Sequence, residues 1–209
     1  MIPKMYCLYC RELGERKQIA ASHFRKVGLD VDFFEGIHGK TYGLKSSIIC
    51  NVDGKNKEWY ISAGHLGLNL GHRMVWEHVM HTDMQEVIIF EDDARPTAMF
   101  EMQYNRCRRN LPDDWEICYL GWIDSHPREL QRVGDCVHRM KLRSGVPFGT
   151  HAMLLNRRGI QKLLDHTRVC NMHIDVLLAK HVLPKSNFYV CYPSLVRQES
   201  QEGKMKPSV

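Results

Sequence analysis

Three consecutive acids, Glu91, Asp92 and Asp93, follow directly on the apolar run Val87-Ile88-Ile89-Phe90. Adjoining carboxylates repel one another, so the triplet asks for a compensating cation. Mg²⁺ and Mn²⁺ are hard ions that take oxygen ligands, usually one or two carboxylates plus substrate phosphates. One reading is a site for such a metal and a diphosphate. Asp92 either joins the ligand side or turns away to fix the strand end. The plain alternative is an acidic turn after a strand, since a short motif alone is not specific.

The elements that must position these acids follow from hydrophobic spacing. Val87 to Phe90 shows no alternating polar residue, the pattern of a strand covered on both faces. In an open α/β sheet, ligands bind beyond the carboxyl ends of the strands, where the acids fall. Lys4 to Tyr9 reads as an opening strand, Arg11 to Lys26 as a helix closed by Gly28, and Val31 to Glu35 as a second strand. Residues 40–60 read as polar and irregular, with a turn at Asn51 to Gly54. Ser62 caps a helix running to His81 whose apolar face is Leu66, Leu70, Met74, Val75, Val79 and Met80. A helix from about Thr97 to Arg109 follows, then a strand over Trp115 to Gly121 and strands within Val133 to Leu142 turning at Gly134-Asp135. Ala152 to Leu155 reads as a strand, Arg157 to His166 and His173 to His181 as helices, and Phe188 to Cys191 as a closing strand. This alternation implies an α/β fold with a mostly parallel central sheet, flanked by helices, and a small antiparallel element. The polar tail from Gln198 to Val209 reads as loosely ordered.

With 209 residues the chain suits one domain over residues 1–209. Its 44% hydrophobic and 25% charged content is ordinary for a globular protein. Lys plus Arg exceed Asp plus Glu by 29 to 24, a net +5 that suits small anions and is too diffuse to demand nucleic acid. The first residues lack the apolar core and cleavage site of a secretory signal, and no apolar run could cross a bilayer. A cytoplasmic location with reduced thiols is the resulting expectation for the eight cysteines. Cys7-x-x-Cys10 lacks a second pair to complete a zinc site, so plain strand cysteines are favoured there.

Three further segments bear on the acids. Gly64, Gly67 and Gly71 permit close backbone approach along one side of a helix, with His72 on the same face as Leu68 and Trp76. Tight helix packing around a core histidine explains this equally well. Phe148-Gly149-Thr150-His151 opens a loop, strand and helix series that is unremarkable by itself. Met172-His173-Ile174-Asp175 places an acid at a helix start, where the dipole alone favours it by at most about 1 kcal/mol.

Taken in order, these segments resemble glycosyltransferase family 25, which includes lipooligosaccharide and collagen galactosyltransferases. Leu8 through Arg16 resembles the family's opening strand and Arg-bearing turn, and Phe34-Glu35-Gly36-Ile37-His38-Gly39 its phenylalanine–"aidG" segment. Gly64 to His72 resembles its glycine-rich "GxxGCxxSH" helix, and Glu91-Asp92-Asp93 its acidic metal motif. Asp114 to Gly121 resembles its strand ending in Leu-Gly, and Phe148 to Leu164 its "GThaY…G…LL" segment. Ile174-Asp175 resembles its "xxD" element, and Tyr192 to Ser200 its closing segment. Departures stand at Leu68 for Cys, Gly71 for Ser, Met153 for Tyr, and in the Cys10 to Arg16 turn; they bear on donor-sugar identity.

The resemblance implies a GT-A, Rossmann-like fold, a nucleotide-sugar donor (a UDP-sugar first), Mn²⁺ or Mg²⁺, and a glycan or glycoprotein acceptor. It puts Asp93 in direct contact with the metal and Glu91 nearer the ribose or reached through water. It places the donor near Leu8, Arg16, His38, Gly39, His72, Glu91 and Asp92, with Arg16 facing the diphosphate or else forming a surface ion pair. Thr150 and His151 would contact donor sugar or acceptor hydroxyls. An inverting reaction needs one base, for which Asp175 leads and Asp124 is the reserve. Trp122 stacks on an acceptor sugar, unless it is simply core. Two other classes stay open: a metal-dependent phosphoryl-transfer enzyme or phosphate-ester hydrolase, and a non-catalytic nucleotide- or nucleic-acid-binding module using Arg106-Cys107-Arg108-Arg109. That run also reads as a solvated helix end, and no nucleic-acid partner is expected.

Overall fold

Successive residues of the apolar run before the acids point to opposite faces of a sheet, and both faces are covered. Ile88 and Phe90 join one buried cluster with Met5, Cys7, Phe24, Phe100 and Leu154. Val87 and Ile89 join the other, with Val75, Trp76, Met153, Ile160 and Leu178. This is why the run carries no polar alternation.

The structure is a computed structural model that describes residues 2–45, 47–49, 59–123, 129–141, 147–169 and 171–200, of which 47–49 and 59–60 by backbone alone. The strands are β1 (Lys4–Tyr9), β2 (Asp32–Glu35), β3 (Ser47–Ile49), β4 (Trp59–Ile61), β5 (Glu86–Glu91), β6 (Ala94–Pro96), β7 (Ile117–Ile123), β8 (Leu130–Gly134), β9 (Val137–Met140), β10 (Phe148–Asn156), β11 (Phe188–Cys191) and β12 (Val196–Gln198). The helices are α1 (Gly14–Lys26), α2 (Ala63–Met80), α3 (Phe100–Arg109), α4 (Arg157–His166) and α5 (Ile174–Leu177).

Eight strands form the central sheet in the order β2-β1-β5-β10-β7-β11-β9-β8. β1, β2, β5, β7, β8 and β11 run in one direction, and β9 and β10 run against them. The α/β expectation is met. Two short antiparallel pairs, β12 with β6 and β3 with β4, stand beside the sheet. From β1 the chain crosses through α1 on one face to β2. It then crosses through α2 on the other face to β5, on the opposite side of β1. The order therefore reverses between β1 and β5, where a cleft opens at the strands' carboxyl ends.

Local signals account for the boundaries. Gly28 takes φ +72° after α1, and Leu29 N–H returns to Phe24 O at 3.0 Å. Ser62 caps α2 through its side chain in a reciprocal capping box with His65.

Several expectations are corrected. Arg11–Leu13 is a 3₁₀ turn rather than the first turn of α1. Part of the stretch at 40–60 forms the β3–β4 hairpin; the turn expected at 51–54 lies outside the described residues. The helix expected from Thr97 starts at Phe100, because Ala94–Pro96 is drawn into a ladder with Val196–Gln198. The hairpin near residue 134 turns at Asp135 and Cys136. The last expected helix breaks into α5, a π-helical turn over Leu178–Val182 and a 3₁₀ turn.

The loose tail is corrected too. Gln198 is in β12 and Glu199 is only 6% exposed, while residues 201–209 lie outside the described set. Reduced thiols were expected throughout, but Cys107 and Cys136 form a disulfide that ties α3 to the β8–β9 hairpin, their Cα atoms 5.7 Å apart.

Candidate functional site

β10 runs antiparallel to β5 with Ala152 opposite Phe90, so its first residues meet the acids that end β5. Thr150 Oγ1 donates to Glu91 Oε1 at 2.5 Å. From α2, the fully buried His72 donates its Nε2–H to the same oxygen at 3.0 Å. Burial opposes the charge on Glu91, but these two hydrogen bonds and the neighbouring imidazoles outweigh it and hold the carboxyl below its usual range. Both bonds fall on Oε1, so the second oxygen takes part in neither.

Asp92 turns toward α1. Arg16, buried despite its charge, hydrogen-bonds Asp92 Oδ1 and stands 3.8 Å from Asp93 Oδ2. A guanidinium thus partly meets the repulsion among the acids. Burial pushes the Asp92 carboxyl up, and Asp93 and Glu91 add to the rise against the pull of Arg16.

Asp93 is 4% exposed, and its Oδ2 accepts from Ser200 Oγ at 2.6 Å and Gln198 Nε2 at 3.1 Å. Its Oδ1 is buried without a hydrogen-bond partner. Burial, with the charge of Glu91, raises this carboxyl above its usual range.

Among the described residues, no three His, Cys, Asp or Glu side chains group so as to hold a metal by themselves. The leftover oxygens of Glu91 and Asp93 fit a weaker demand, one or two hard ligands with phosphates and water supplying the rest.

Beside the acids lies a small solvent-open cleft with about 30 Å³ of free volume. Leu8, His38, Gly39, Glu91 and Asp92 line it, and so do Gly64, Gly67 and Gly71 of α2. The glycines act through packing as well. A Cβ on Gly67 would lie 2.3 Å from Ile37 O, and one on Gly39 would lie 1.7 Å from Ala63 O. Backbone therefore meets backbone where α2 crosses the segment after β2.

Asp175 stands at the start of α5, where Val176 N–H donates to its Oδ1 at 2.8 Å. Burial raises its carboxyl, and Glu91 adds to the rise. The Val176 and Gly149 N–H groups and His173 pull the other way. α5 packs against β10, the strand that brings Thr150 to Glu91. Next to Asp175, the rings of His65 and His173 lie 3.7 Å apart, and burial with the nearby His173 holds His65 down at about 4.

Other expected site residues fall elsewhere. His151 is 1% exposed against Gly121 and Val196 O, where burial lowers its basicity. Trp122 is 7% exposed and donates to Cys191 O at 3.0 Å, so its ring is packed as core rather than displayed. Asp124 lies outside the described residues. Sequence reasoning missed Gln198 and Ser200, because Val196-Arg197-Gln198 is short and lacks the apolar-polar alternation that signals a strand.

Comparison with known proteins gives this site a context. The chain is 24% identical over 182 residues to a "Glycosyltransferase 25 family member" of Aedes aegypti, covering 78% of this chain and 28% of the relative. It is 23% identical over 145 residues to human "Procollagen galactosyltransferase 2", covering 65% and 23%. It is 29% identical over 165 residues to the mouse "Inactive glycosyltransferase 25 family member 3", covering 72% and 26%. This chain thus spans about a quarter of the length of these curated relatives. A family model described as "Glycosyltransferase family 25 (LPS biosynthesis protein)" matches residues 10–178. By that match, which takes in most of the cleft's lining, the acids and Asp175, the chain belongs to glycosyltransferase family 25.

Proposed function

We propose that this chain transfers a hexose from a nucleotide sugar, a UDP-sugar such as UDP-galactose first, to a hydroxyl of a glycan or glycoprotein, with inversion at the anomeric carbon. The observation that carries this reading is the cleft at the β1–β5 reversal with Glu91 and Asp92 in its wall. Family membership names the class of reaction, and two labels among its relatives, galactosyltransferase and inactive, make activity the first thing to measure.

The nucleoside part of the donor sits in the cleft against Leu8, His38 and Gly39, where close backbone packing makes a rigid wall. Glu91 is held by His72 and Thr150, and Asp92 by Arg16, so little rearrangement is needed when a diphosphate arrives. Glu91 and Asp93 would hold Mn²⁺ or Mg²⁺ through their leftover oxygens, and such an ion, when bound, neutralises charge on the departing diphosphate. The acceptor oxygen attacks the anomeric carbon while the bond to the diphosphate breaks and its electron pair leaves with the nucleotide. Asp175 takes the acceptor's hydroxyl proton.

A transfer assay with UDP-galactose and Mn²⁺ tests this. Asp93→Ala should lower turnover at least about 100-fold, in line with loss of an electrostatic stabiliser. Undiminished turnover in that variant overturns the reading.

A further inference from the structure

The segment that follows the family-matched span supplies part of the acidic site. The family model ends at residue 178, yet two side chains beyond it hold Asp93. β12 pairs antiparallel with β6, Gln198 opposite Ala94, and Glu199 N–H donates to Asp93 O at 2.9 Å. The chain from 198 to 200 therefore runs alongside the acidic turn. Glu199 anchors it, 3.1 Å from His23 Nε2 on α1 and 3.7 Å from Arg95 Nη1 on β6.

The pattern of bonds on Asp93 is lopsided. Ser200 and Gln198 both donate to Oδ2, and Oδ1 is buried with no partner. The Gln198 side-chain oxygen Oε1 is likewise buried and unpartnered. A carboxylate held only for structure would share its donors between both oxygens, because a buried acceptor left alone is costly. Two donors on one oxygen stop the carboxylate from rotating and leave Oδ1 outside any hydrogen bond.

Resting on the proposed function, we propose that Ser200 and Gln198 are positioning residues that set the orientation of Asp93 for a divalent cation. Neither touches substrate. Partners of this kind around a ligand typically change metal affinity by about 10–100-fold when removed.

Calorimetric titration of Mn²⁺ into the protein with UDP present tests this, for the wild type, Ser200→Ala, Ser200→Thr and Gln198→Leu. Thermal unfolding of each variant is followed alongside. Ser200→Ala and Gln198→Leu should each weaken Mn²⁺ binding about tenfold or more. Ser200→Thr, which keeps the hydroxyl, should bind within about threefold of the wild type, since it preserves the bond to Asp93. Wild-type affinity in Ser200→Ala, or no recovery in a folded Ser200→Thr, overturns this inference and leaves the proposed function standing. No Mn²⁺ binding by the wild type overturns both.

Discussion

Asp175 and Glu91 are both carboxylates of the candidate site, and their surroundings shift their acidities in opposite directions. Glu91 is held charged by His72 and Thr150, whereas burial lifts Asp175. A base must be ionised to accept a proton, so a raised pKa moves the loss of activity to higher pH than an exposed aspartate would give. The acidic limb of kcat/KM should therefore lie above the ordinary aspartate value of about 3.9. Asp175→Asn should lower kcat by about 10²–10⁴-fold and shift that limb, leaving only the part set by the other raised carboxyl, Asp93. A full pH–rate profile of both proteins checks this, and an unchanged limb in the variant would release Asp175 from the role. At this scale the sequence was legible in part. The triplet marked Glu91 and Asp93, because acids at a strand end are a local pattern. The partners of those acids were not legible: Arg16 lies 76 residues from Asp92, and Ser200 lies 107 from Asp93. Only the fold joins such pairs. His151 and Trp122 misled for the same reason, as residue type says what a side chain can do and not whether it is buried.

Among the elements, α2 carries the cleft's geometry through its glycines. Gly67→Ala would drive a methyl group into Ile37 O, a backbone atom with little room to retreat. The variant should lose about 1–3 kcal/mol of stability by denaturant unfolding, the usual cost of overpacking, and bind nucleotide sugar more weakly. Unchanged stability would mean that α2 can shift away from the segment after β2. The second element-scale device is the disulfide between Cys107 and Cys136, which closes a loop with a sequence separation of 29. In the chain-entropy view a loop of this length contributes roughly 3.6 kcal/mol. Replacing both cysteines by Ala should lower the unfolding free energy by about that amount, with the m-value as a check on the denatured state. Element types were legible where periodicity was strong, as in β1, α2, β5 and α4. Boundaries shifted where tertiary pairing intervened, notably at β6, which is too short to announce itself and forms only because β12 lies beside it.

On the scale of the whole molecule, the cleft depends on chain reversal. α1 and α2 lie on opposite faces, so the strands on either side of β1 part at their carboxyl ends. Strand and helix alternation made that legible. The antiparallel β10 was not, because a short apolar strand carries no mark of its direction, yet that direction brings Thr150 to Glu91. Among the described residues no helix is long and apolar enough to cross a membrane.

The most direct test is a crystal grown with UDP-galactose and Mn²⁺, with diffraction recorded at the manganese absorption edge. The account predicts nucleotide density against Leu8, His38 and Gly39, and an anomalous peak about 2.0–2.3 Å from an oxygen of Asp93 or Glu91, as expected for a hard cation. Nucleotide bound at another surface, or manganese with no contact to either acid, would contradict it.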